Sequence, residues 1–137
     1  MNLQALVDAM NEASSRERGN YHLTLGALVE ALSAAEPEAI VVFDFDAAVS
    51  PSAPESYRGY YSDLSFPPAS SPITAGELLK EARDAIGNTF EGYKGGDFTM
   101  HDETPLWASA YGSASGIAIM GMTRVGDRYV LTTKQID

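Results

Sequence analysis

The C-terminal third of the chain constrains the fold most, because it has the pattern of an antiparallel hairpin. Residues 129–134 alternate strictly between two faces of a strand, and residues 116–125 form a second strand-like run. Gly126-Asp127 between them has the composition of a two-residue hairpin turn. A further strand-like run, 105–111, precedes this pair. A sheet that ends in this way needs other elements to bury at least one of its faces.

Three segments with helical spacing supply that cover. Apolar residues recur at positions i, i+3 and i+4 in residues 2–13, 24–34 and 74–86, and residues 40–43 form a β-branched and aromatic run between the second and third of these segments. Thr24 and Thr74 are the predicted N-caps. We therefore predict an α+β fold in which three helices pack on one face of a mostly antiparallel sheet. The side chains that we expect this packing to bury are Leu6, Leu28, Val42 and Leu79.

Length and composition predict one domain, residues 1–137. It comprises an N-terminal helical hairpin (1–36), a mixed region (37–104) and a β-rich part (105–137). The 19 acidic side chains outnumber the 9 Lys and Arg, for a net charge of -10, which disfavours binding along a nucleic-acid backbone. Cysteine is absent, and no run approaches the roughly 18 apolar residues that a membrane span needs. We expect a cytoplasmic protein that does not bind membranes.

Two aspartates follow the predicted strand 40–43. On a strand, Asp44 and Asp46 would point the same way, which is the spacing that a Mg²⁺ site requires. The segment resembles the first motif of haloacid-dehalogenase-type phosphatases, but the Gly-Thr pair and the later acidic pair of that family are missing. We interpret both aspartates as polar residues at a strand exit, and we predict no catalytic residue, metal ligand or cofactor.

Aromatic residues cluster between positions 57 and 111, interleaved with isolated cations and glycines. Tyrosine and tryptophan beside an occasional basic residue are typical of interface anchors and of stacking platforms, although part of the set is expected to fill the core. On a strand, Arg58 and Tyr60 would face one way while Tyr57 faces the other. The predicted binding residues are Tyr57, Arg58, Tyr60, Tyr93, Lys94 and Trp107.

Three segments carry a family resemblance: residues 56–61 (Ser-Tyr-Arg-Gly-Tyr-Tyr), 74–79 (Thr-Ala-Gly-Glu-Leu-Leu) and 90–98 (Phe-Glu-Gly-Tyr-Lys-Gly-Gly-Asp-Phe). They resemble a group of small uncharacterised accessory proteins of bacteriophages and prophages. The resemblance covers roughly residues 24–125 and brings no known active residues. It implies a phage accessory gene whose product works in the cytoplasm of a host bacterium.

These observations favour a binding protein over an enzyme. The first hypothesis is a non-enzymatic phage protein that binds a host protein, for example a component of antiviral defence, and inhibits it. The second is a sponge for a small signalling nucleotide, with Arg58 and Lys94 on phosphate and the tyrosines or Trp107 on the base. The third is a metal-dependent hydrolase built on Asp44 and Asp46. The sequence leaves self-association open.

Overall fold

The structure is a computed structural model that describes residues 22–57, 63–91, 96–109 and 116–136. Within these residues the chain forms helix α1, Leu25–Ser33, and helix α2, Ala75–Ala85. The helix predicted over residues 2–13 lies outside the described residues, as does Leu6. The strands are β1 Ile40–Phe43, β2 Ser50–Pro51, β3 Glu55–Ser56, β4 Leu64–Ser65, β5 Pro68–Ala69, β6 Ile73–Thr74, β7 Thr89–Glu91, β8 Asp97–Thr99, β9 Leu106–Ser109, β10 Gly116–Val125 and β11 Arg128–Ile136.

Seven strands form the main sheet, in the order β3-β4-β9-β10-β11-β1-β6. β1 pairs with β11 and β4 pairs with β9 in parallel, and the other four pairings are antiparallel. The predicted hairpin is confirmed: β10 and β11 are joined by Gly126-Asp127, and Gly126 has the positive φ of 64° that such a turn requires. β2 with β5 and β7 with β8 form two small antiparallel pairs. The α+β class and the mostly antiparallel sheet agree with the sequence.

Both described helices begin where their caps predict. The Thr24 hydroxyl accepts a hydrogen bond from the Ala27 N–H at 3.2 Å, and the Thr74 hydroxyl accepts one from the Glu77 N–H at 3.2 Å. Each bond satisfies an N–H group that the first turn of a helix otherwise leaves unpaired. Neither described helix is long and apolar enough to cross a membrane.

The helices pack on one face of the sheet, called here the first face. Its core joins α1 and α2 to alternate residues of the central strands, such as Val41 and Phe43 of β1 and Leu131 of β11. Leu28 is fully buried there, as predicted. Leu79 is only half-buried, contrary to prediction, because α2 turns Leu78 and the neighbouring alanines to the core and leaves Leu79 at the margin of that stripe.

The opposite face, called here the second face, also buries apolar side chains. Val42 is buried as predicted, but it alternates with Val41 and Phe43 and therefore points away from α1 and α2. Trp107 and Ala118, which are paired across β9 and β10, lie in a separate cluster on this face. The described part of the sheet is thus a layer with a core on each side.

The strand considered for Tyr57, Arg58 and Tyr60 falls mostly on residues 58–62, which lie outside the described residues. The Tyr57 N–H donates to the Asp63 carbonyl at 2.9 Å, and β3 and β4 on either side are antiparallel. β3 is the outermost strand at its end of the sheet.

Candidate functional site

A stacked pair of aromatic rings lies on the second face, at the β3-β4-β9 end of the sheet. The ring centroids of Tyr57 and Trp107 are 4.2 Å apart and the ring planes differ by 8°. Tyr57 follows β3, Trp107 belongs to β9, and β4 runs between these strands. Each residue is only 3% exposed. The two predicted site residues that the structure describes are therefore in direct contact and lie beneath the surface.

A buried carboxylate fixes the orientation of the indole. The Trp107 Nε1–H donates to Asp63 Oδ2 at 2.8 Å, and Asp63 is fully buried. The Asp63 carbonyl also accepts a hydrogen bond from the Tyr57 N–H. Asp63 therefore binds both the backbone of Tyr57 and the side chain of Trp107. A buried hydrogen bond to a charged acceptor is stronger and more directional than one between neutral groups. The stack is consequently held in one geometry.

His22 also packs against the indole of Trp107. Its ring meets Trp107 edge-to-face, with centroids 4.6 Å apart, and its Nδ1 lies 3.2 Å from the Leu106 carbonyl oxygen. The next residue, Leu23, donates to the Ile119 carbonyl and accepts from the Leu106 N–H. This stretch therefore joins β9 to β10 where the two strands separate. The sequence gives no local signal for that placement.

Gly116, at the start of β10, lies directly against the stack. A Cβ atom added there would fall 1.9 Å from the Tyr57 hydroxyl and 2.7 Å and 2.8 Å from two carbons of the Trp107 ring. These distances are far inside van der Waals contact. The position accepts only a hydrogen side chain for that reason, since Gly116 is not among the described glycines with positive φ.

The stack lies at the ends of two segments with similar composition. Residues 58–62, Arg-Gly-Tyr-Tyr-Ser, are bounded by Tyr57 and Asp63, while residues 110–115, Ala-Tyr-Gly-Ser-Ala-Ser, are bounded by β9 and Gly116. A third segment, residues 92–95, Gly-Tyr-Lys-Gly, lies between β7 and Gly96, and β7 lies beside β3. The predicted site residues Arg58, Tyr60, Tyr93 and Lys94 fall in these segments and lie outside the described residues.

The aspartates of the alternative hydrolase site occupy a turn. β1 ends at Phe43, and Asp44 then accepts from both the backbone N–H and the hydroxyl of Thr133 on β11. Asp46 accepts from the Ala48 N–H at 2.9 Å, which closes a local turn. The interpretation as strand-exit residues is confirmed in position. Across the described residues, no group of three or more His, Asp or Glu is arranged to hold a metal ion.

Charges at the surface are unevenly paired. The acidic residues Glu91 and Asp97 face each other across the β7–β8 hairpin, and both are exposed. Like charges directly opposite on neighbouring strands repel and destabilise the pair. Arg124 and Glu36, elsewhere on the chain, form an exposed ion pair at 3.1 Å. The hairpin thus presents negative charge beside the end of the sheet that carries the aromatic stack.

Comparisons of the chain with protein-family models, curated proteins and solved structures found no match.

Proposed function

We propose that the protein acts without catalysis, by binding a protein of a bacterial host through residues 58–62, 92–95 and 110–115. The observation that carries this proposal is the buried stack of Tyr57 on Trp107. It brings the ends of two of these segments together and holds them with the Asp63 hydrogen bond. Binding residues that lie on segments positioned by a rigid scaffold are a common arrangement in proteins.

The composition of the three segments suits a protein partner. They combine tyrosine, serine and glycine with one arginine and one lysine. Tyrosine offers a large contact area at a low cost in side-chain entropy, while serine and glycine adapt their hydrogen bonds, which is why binding loops of antibodies favour these residues. The net charge of -10 and the Glu91–Asp97 pair further favour a partner with a basic surface.

The resemblance to phage accessory proteins supports a host target, and inhibition of a defence component is the effect we propose. The protein would then work in the host cytoplasm. Two geometric features disfavour the nucleotide-sponge and hydrolase alternatives. The Trp107 ring already contacts the rings of Tyr57 and His22, which limits stacking of a nucleotide base on it. Asp44 and Asp46 already accept hydrogen bonds from the chain itself.

The test begins with capture of host proteins and nucleotides on the immobilised protein, identified by mass spectrometry. Titration calorimetry with the identified protein then measures the effect of Arg58→Ala and Lys94→Ala. We expect each variant to weaken binding by about 2 kcal/mol, which is roughly thirtyfold in Kd, because anchors of this kind dominate interfaces. The affinities of the two variants and of the wild type are compared only where their melting temperatures are equal.

Lys80→Ala is the matched control, since Lys80 is an exposed lysine on α2, on the first face. It should bind as the wild type does. Unchanged affinity in both Arg58→Ala and Lys94→Ala would place the site elsewhere. A captured nucleotide that binds the purified chain without any host protein would refute protein binding as the function. Hydrolysis of that nucleotide by the purified chain would refute it as well.

A further inference from the structure

The second face of the sheet buries more apolar surface than the described residues account for. Val42 is 4% exposed, yet it belongs to neither of the two hydrophobic clusters. Val130, its partner in the register of β1 and β11, is half-buried and also lies outside both clusters. On the first face, the equivalent side chains of β1 and β11 pack under α1 and α2. The second face therefore needs a cover that differs from the two described helices.

Apolar side chains lie on this face in four strands, with Thr123 and Thr132 between Val130 and Met120. This patch runs from β1 through β11 and β10 to the aromatic stack on β9. Its members are Ile40, Val42, Val130, Met120, Ala118 and Trp107. Two cations on the same face bracket it, because Arg128 pairs with Ile40 and Lys134 pairs with Ala118, and both are exposed. Arg128 also donates to the Ala47 carbonyl at 3.4 Å.

We propose that the N-terminal segment of the same chain covers this patch, with the apolar stripe of the predicted helix 2–13 against the second face. The described chain begins at His22, and the His22 ring packs against Trp107 on that face. The hydrogen bond from Leu23 to the Ile119 carbonyl fixes this start to β10. The preceding residues thus depart from the edge of the patch itself.

The dimensions agree with this occupant. A helix of residues 2–13 would be about 18 Å long. The distance from β9 to β1 spans three strand spacings, about 14 Å. Residues 14–21 between the helix and His22 could extend over roughly 26 Å, so they allow any orientation of the helix.

The placement differs from the sequence-based expectation that three helices share one face. It also gives the stripe of Leu3, Leu6, Val7 and Met10 an apolar surface to bury, which an amphipathic helix requires. On the first face, α1 and α2 pack against each other and on the sheet.

Cross-linking tests the placement directly, because the natural chain has no cysteine and only introduced thiols react. Asn11 borders the apolar stripe of the predicted helix, and Lys134 is exposed on the second face. The variant Asn11→Cys with Lys134→Cys, treated with a short bis-maleimide, should form an intramolecular link. The control Asn11→Cys with Lys80→Cys, whose second thiol lies on α2, should not. Digestion and mass spectrometry identify the linked peptides.

Each other outcome overturns the proposal. Linkage in the Lys80→Cys variant would place the segment on the first face, and dimers linked between chains would make a second copy the occupant. Absence of linkage in both variants would show that the segment does not cover either face.

Hydrogen exchange provides an independent measurement on the full chain. Leu6→Asp should accelerate exchange at least tenfold in residues 40–42 and 128–132, while the matched control Ala5→Asp, on the opposite side of the helix, should leave it unchanged. Faster exchange confined to α1 and α2 after Leu6→Asp would contradict the placement.

Discussion

Replacing Gly116 with alanine is the sharpest test of the aromatic stack. The added methyl group would lie 1.9 Å from the Tyr57 hydroxyl and 2.7 Å from the nearest Trp107 ring carbon. To restore normal contacts of about 3.5 Å, the indole must move by roughly 1 Å and the hydroxyl by roughly 1.5 Å. Both rings are buried, and the indole is bonded to Asp63, so neither can turn away freely. We expect a destabilisation near the upper end of the 1–3 kcal/mol that is typical of overpacking.

The expected loss corresponds to a fall in Tm of about 10 °C for a chain of this size. Circular dichroism measures that shift, and fluorescence measures the environment of Trp107, the single tryptophan of the chain. Gly121→Ala is the matched control: it lies on the same strand, and its nearest added contact is 3.3 Å from the Thr132 hydroxyl, so the effect should be small.

A second variant identifies the cause of the loss. Combining Gly116→Ala with Tyr57→Phe removes the shortest contact, so the double variant should be more stable than the sum of the two single effects predicts. An unchanged Tm and an unchanged emission spectrum for Gly116→Ala would refute the stack as described.

Three further perturbations test the core and the turn. Leu28→Ala should destabilise the fold by about 2–5 kcal/mol in thermal or urea unfolding, because Leu28 is fully buried between α1 and the sheet, and an unchanged stability would contradict that burial. Asp44→Asn with Asp46→Asn should leave partner affinity unchanged in calorimetry, and a folded double variant that has lost both affinity and Mg²⁺ binding would restore the hydrolase reading. Trp107→Phe should cost about 1–3 kcal/mol in urea unfolding, since it removes the indole donor from the buried Asp63, and a neutral result would show that this bond adds nothing.

Local patterns predicted the elements whose causes are local. The N-caps Thr24 and Thr74 and the turn Gly126-Asp127 lie where the sequence places them, because a cap or a tight turn depends on residues within about four positions. The burial of Leu28 follows from helical periodicity in the same way. Leu79 shows the limit of that periodicity: the stripe predicts which side of a helix faces the core but leaves the width of the contact undetermined.

Pairings between distant residues could not be predicted. β1 lies parallel to β11, a partner nearly ninety residues away, and nothing near β1 in the sequence indicates that pairing. Asp63 and Trp107 are separated by 44 positions, and nothing in either neighbourhood indicates their hydrogen bond. The need for glycine at position 116 could not be predicted either, because it comes from the distant side chains of Tyr57 and Trp107.

The buried carboxylate of Asp63 distinguishes the aromatic stack from an ordinary apolar cluster. If it served only to fill the second face, an apolar residue at position 63 would avoid the desolvation of a carboxylate, and such replacements are often neutral or stabilising. A buried charge with a directional donor instead restricts the ring to one orientation. That restriction matters most to the residues that follow: Tyr57 leads into 58–62 and β9 leads into 110–115. We propose that the buried Asp63 holds the ends of both segments in a defined position, which the proposed binding surface would require.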